Sequence, residues 1–109
     1  MNVFTYWEGP RPEYIQVCLD SMARVIGDDL HLVTPETVGD YLPPGTLHEA
    51  YRTLPQPALR ADAIRAALLT THGGWWWDAD TVALRSPETI VENIPQAEAI
   101  YTTWTKPPT

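Results

Sequence analysis

At 109 residues the chain has room for one domain and a single core, near the lower end for an α/β fold. Its formal net charge of −7 leaves no basic patch to release counterions from phosphates, which excludes nucleic acid as a partner. No apolar run approaches the roughly 20 residues of a membrane span, so no membrane span is expected.

The first residues lack the basic start and apolar core of a signal peptide, and a cytoplasmic location is the expectation. Residues 3–7 are β-branched and aromatic and read as a first strand, broken by Gly9, Pro10 and Pro12. From Glu13 the apolar residues Tyr14, Ile15, Cys18, Leu19, Met22, Val25 and Ile26 follow helical spacing, and Gly27 ends the helix. Cys18, inside that stripe and the only cysteine, reads as core. Residues 30–34 predict a second strand, and 35–41 a short helix capped by Thr34. The proline-bracketed stretch that follows reads as loop with one helical turn near 47–52. A long helix from Ala58 then meets Gly73 and Gly74, and three tryptophans lead to Asp78 and Asp80. Residues 81–84 read as a strand, Ser86 and Pro87 as a capped helix start, and 99–104 as a last strand. Strands alternating with helices predict a mostly parallel sheet flanked by helices, with residues 1–105 as one domain and 106–109 as a tail.

On the long helix, an advance of about 100° per residue puts Ile64, Leu68, Ala61 and Leu69 on one face. Arg65 falls between Leu68 and Leu69, and Asp62 lies at the edge of the same face. An arginine in an apolar stripe requires a fixed partner or a ligand, which makes Asp62 and Arg65 candidate site residues. The alternative is a solvated ion pair worth roughly 0.2–0.5 kcal/mol. Arg60 is expected on the opposite, solvated side. Asp78 and Asp80 share one side of an extended chain, and their repulsion calls for a cation or a raised pKa. Magnesium and manganese suit such a pair, because they bind through one or two carboxylates plus substrate phosphates. The alternative is an ordinary acidic turn. A Gly-Gly turn and an apolar strand ahead of the pair strengthen the metal reading, because a strand delivers its ending to the binding edge of a sheet.

The segment Arg60-Ala-Asp62-Ala-Ile-Arg65, with His72-Gly73-Gly74, the tryptophans and Asp78-Ala-Asp80, resembles the sugar-binding region of DXD glycosyltransferases. These are the capsular-polysaccharide-synthesis and Och1-like mannosyltransferase groups, with the clostridial glucosylating toxins as distant relatives. Phe4-Thr-Tyr-Trp7-Glu-Gly9 is similar to their first strand, and the stretch from His31 to Leu42 to their second strand and following helix. The resemblance implies a GT-A-like, Rossmann-like fold, truncated after the Asp-x-Asp strand. It also implies metal-dependent transfer of a sugar from a nucleotide-diphospho-sugar donor to a carbohydrate or protein acceptor.

Carried over by position, Trp7 would lie against the base, and Asp62 and Arg65 would bind the donor sugar. Asp80 would ligate manganese or magnesium directly, and Asp78 would contact the metal through water, the ribose, or both. His72 and the glycines read as structural, and the tryptophans as mostly core, with Trp75 and Trp77 on one face. Family members continue well past this region, so the isolated chain is expected to be weak or inactive without a homo-oligomer or partner subunit. The alternative is a non-catalytic nucleotide or nucleotide-sugar binding module, or a structural relic of a transferase.

Overall fold

The computed structural model describes residues 1–92. It is α/β. Strand β1 (Val3–Tyr6) is followed by helix α1 (Glu13–Ile26), strand β2 (Leu30–Val33), the short helix α2 (Val38–Tyr41) and a 3-10 turn at Glu49–Thr53. The long helix α3 (Pro57–His72), strand β3 (Trp75–Trp76) and helix α4 (Pro87–Val91) complete the order. The three strands form a parallel sheet in the order β2-β1-β3, with Val3 level with both Leu30 and Trp75.

All four residues of β1 are buried, as a central strand covered on both faces must be. Phe4 and Tyr6 point to one layer, where they pack with Val33, Val38, Ile64 and Leu68. The other layer holds Ile15, Leu19 and Met22 of α1 with Ala79 and Ala83, and Trp7 and Trp77 pack against it. Strand alternation and helical period therefore agree: α1 and α3 take opposite faces of one sheet. Among the tryptophans, Trp76 joins the α3 layer and Trp77 the α1 layer, each half-buried. Cys18 is buried and free.

The turn from α3 into β3 depends on both glycines, which adopt φ of 67° and 94°. At Gly74 a Cβ would stand 2.5 Å from the Asn2 carbonyl oxygen. That carbonyl accepts the Trp75 N–H at 2.9 Å, so the bare glycine backbone is what lets β3 dock beside β1.

Four expectations are corrected. Tyr14 is 61% exposed although the helical period sets it between the buried Cys18 and Ser21; it is the second residue of α1, one turn ahead of Cys18 at the helix end. Thr34 does not cap α2 with its side chain; its own N–H is held by Thr37 Oγ1 at 2.9 Å, and its carbonyl accepts from Thr37 and Val38. Residues 81–84 form no strand. Their alternating pattern is real, but the Ala83 N–H donates to Ser21 Oγ on α1 at 2.8 Å instead of to a ladder partner. The helix start at Ser86 is as expected, with Pro87 first in α4. The fourth correction, the facing of α3, belongs to the site. The strand expected at 99–104 and the tail at 106–109 lie outside the described residues. Among the described residues no helix is long and apolar enough to cross a membrane.

Candidate functional site

A parallel sheet gathers its strand ends on one edge, and ligands bind there where strand order reverses. Here the chain passes from β1 outward to β2 on one side and returns to β3 on the other, so the reversal lies at the end of β1. The ladder runs one residue past each neighbouring pair: Trp7 N–H donates to Val33 at 3.2 Å and Trp77 N–H to Phe4 at 3.0 Å. The edge therefore presents Trp7 and Glu8 after β1, Thr34 to Glu36 after β2, and Asp78 after β3.

Two adjoining cavities open at this edge. The larger, about 350 Å³, is lined by Trp7, Gly9, Arg11 and Thr34, among others. The smaller, about 290 Å³, is lined by Tyr6, Tyr51, Arg52 and Arg60. Glu8, Pro35 and Glu36 belong to both. The Trp7 ring is held in place by its Nε1–H, which donates to the Pro10 carbonyl at 3.0 Å.

Glu8 is the most heavily bonded side chain here. Arg60 donates to it from Nη2 at 2.6 Å and Nε at 2.9 Å, while Tyr6 OH donates at 3.0 Å. The remaining Arg60 nitrogen, Nη1, reaches the Leu54 carbonyl at 2.5 Å. The Arg60 guanidinium holds the Glu8 carboxyl below its usual range, against the opposing effect of burial and with help from the Tyr6 hydroxyl. Burial, and then the carboxylate beside it, push the Tyr6 hydroxyl pKa well up, so it stays a donor. Glu8 in turn raises the already high Arg60 pKa. One cluster thus ties the end of β1, the first turns of α3 and the segment before it.

Asp78 and Asp80 are both exposed, flanking the buried Ala79. They sit in a turn closed by Thr81 N–H to the Asp78 carbonyl at 3.0 Å, and Asp78 Oδ1 accepts Trp76 Nε1–H at 3.0 Å. Among the described residues no three His, Cys, Asp or Glu side chains gather as a metal cage. Two solvent-facing carboxylates suit a hard cation that keeps waters and takes its other ligands from phosphate.

Asp62 and Arg65 are paired, Nη2 to Oδ1 at 3.3 Å, with side chains 59% and 45% exposed. The arginine is not in the apolar stripe. The buried residues of α3 are Ile64, Ala67 and Leu68, so its inward arc is centred near Ile64 and not between Leu68 and Leu69. About 100° per residue then sets Arg65 at the rim and brings Arg60 to roughly 40° from Ile64, on the inward side. Arg60, expected in solvent, is the half-buried one.

The model of the family described as "Capsular polysaccharide synthesis protein" matches residues 2–106. The chain belongs to that family. The capsular polysaccharide synthesis match takes in the whole strand edge, from Trp7 to the Asp78–Asp80 turn. The chain is also 28% identical over 88 residues to the initiation-specific alpha-1,6-mannosyltransferase of Candida albicans. That alignment covers 80% of this chain and 20% of the mannosyltransferase, so the chain spans about a fifth of that relative. No solved structure matches. Family and relative together make this a glycosyltransferase-like domain.

Of the expected site residues, the sheet edge brings Trp7 and Asp78 to adjacent strand ends, with Asp80 in the following turn. Asp62 and Arg65 stand on the exposed side of α3. Glu8 and Arg60 were not anticipated. Their partnership spans 52 positions and leaves no local signature, although Arg60's angular closeness to Ile64 could have flagged it.

Proposed function

We propose that this capsular polysaccharide synthesis domain binds a nucleotide-diphospho-sugar donor at the carboxyl edge of its sheet and serves metal-dependent sugar transfer. What carries the reading is the point of strand reversal, where a pinned tryptophan follows β1 and an exposed Asp-x-Asp turn follows β3. Asp80 would hold manganese or magnesium, with Asp78 in support through water or the ribose. The cation, when bound, would offset charge on the departing diphosphate. Trp7 offers the base a flat surface already fixed by its bond to Pro10. Asp62 and Arg65, solvent-facing and preformed as a pair, would take the hydroxyls of the sugar.

The acceptor, and whether a partner subunit or a second copy completes the site, belong to the same proposal. A ligand that binds only the folded state raises the melting temperature. We expect a thermal shift with manganese plus nucleoside diphosphates or nucleotide sugars, abolished by Asp80→Asn. No shift from any of them, in a sample shown to be folded, would sink the reading. A non-catalytic binding module would give the same shift with neither donor hydrolysis nor transfer.

A further inference from the structure

The Glu8–Arg60 pair is more than stability requires. A half-buried ion pair loses much of its Coulomb gain to desolvation, and well-packed apolar residues often replace one at no cost. Here both partners also line the smaller cavity, and Glu8 forms part of the wall between the two. The other charges on the smaller cavity are Glu36 and Arg52, one of each sign and both exposed. Arg52 lies over the Tyr51 ring, 5.8 Å from its centroid, and Arg11 on the larger cavity donates to Gln16 at 3.3 Å. Glu36 and Arg52 cancel and Arg11 leaves one positive charge, which Glu8 would offset unless it is itself neutralised.

We propose that Arg60 is a positioning residue: it fixes Glu8 at the end of β1 and cancels its charge, so that this edge admits an anionic diphosphate. Three of its five N–H groups are spent on Glu8 and the Leu54 carbonyl, so the guanidinium is held against Glu8 and acts chiefly through it. The inference deepens the nucleotide-sugar reading and rests on it. Without Arg60, the Glu8 carboxylate would face an incoming diphosphate at the strand end and repel it. Without the Glu8 charge, Arg60 would be left as an uncompensated cation at the same place and would attract it.

Opposite signs make the test. Binding of a nucleoside diphosphate with manganese, and of the corresponding nucleoside without phosphates, is measured by calorimetry for the parent chain, Arg60→Gln and Glu8→Gln. Screened interaction of one charge with the diphosphate is worth roughly three- to tenfold in affinity. Arg60→Gln should weaken diphosphate binding by about that factor and Glu8→Gln should strengthen it. Both changes should shrink in high salt, and nucleoside binding should follow neither. The glutamine in Glu8→Gln still accepts from Tyr6, so this variant keeps the test open if Arg60→Gln does not fold. Weakening by both variants, or parallel loss of nucleoside and diphosphate, overturns the inference and leaves the donor-site reading standing. A parent chain that binds no diphosphate overturns both.

Discussion

Gly74→Ala tests how the sheet edge is assembled. The added methyl would stand 2.5 Å from the Asn2 carbonyl oxygen, which is backbone and cannot swing aside. That carbonyl accepts the Trp75 N–H at 2.9 Å, so relief of the clash breaks the bond that docks β3 on β1. Gly73→Ala is the control, since Gly73 also has positive φ, 67°, but its Cβ would meet nothing within 4 Å. Both variants carry a backbone strain of about 1–3 kcal/mol. Only Gly74→Ala adds the loss of the hydrogen bond that docks β3, about 0.5–1.5 kcal/mol more. In a domain of this size each kcal/mol lowers the melting temperature by roughly 4–8 °C. Gly74→Ala should therefore melt well below Gly73→Ala in circular dichroism, with a change in tryptophan emission because β3 is Trp75–Trp76. Equal melting temperatures for the two variants would refute the close-approach argument.

Ile64→Ala should cost about 2–5 kcal/mol in urea titrations, because Ile64 is fully buried at the centre of the inward face of α3. Ser21→Ala strips the Ala83 N–H of its acceptor and should cost about 1–3 kcal/mol by the same measurement. The Glu8 pKa is lowered in the folded state, so its stabilisation is present above the ordinary value of 4.5 and lost as pH falls through the folded value. The acid limb of a stability–pH profile should accordingly flatten in Glu8→Gln. Arg65→Lys should weaken nucleotide-sugar binding while nucleoside diphosphate binding changes little; equal loss for both would make Arg65 structural.

Long periodic segments were legible from the sequence. The stripe in α1 needed no knowledge of neighbours, because that helix buries one side and its period records which; for α3 the existence of the helix was legible but not its buried side. The positive-φ glycine turn was legible for the same local reason. What could not be read depends on partners distant in the chain. Residues 81–84 alternate like a strand, yet the Ser21 hydroxyl, 62 positions away, takes the Ala83 N–H. The phase of α3 was the costlier misjudgement. Alanines count as apolar without saying which of them is buried, and it is Ala67, on the far flank of Ile64, that sets the arc. The same rotation exchanges the roles expected of Arg60 and Arg65.

That exchange decides which arginine is left to recognise a ligand. A guanidinium has five N–H donors on three nitrogens. In Arg60 every nitrogen is engaged, two with the Glu8 carboxylate and one with the Leu54 carbonyl. Three of its five N–H groups make charge-assisted bonds that also hold the end of β1, which leaves one on each Nη for any further contact. Among the described residues Arg65 pairs with Asp62, Nη2 to Oδ1 at 3.3 Å, and the pair is largely exposed, so its remaining donors are open to solvent or to a ligand. Most of the free hydrogen-bonding capacity of these arginines therefore sits on the outer side of α3, and the compensated charge on its inner side. A sugar with several hydroxyls requires the former. On the proposed donor reading, a diphosphate crossing the end of β1 would use the latter, with the Glu8 charge already offset by Arg60.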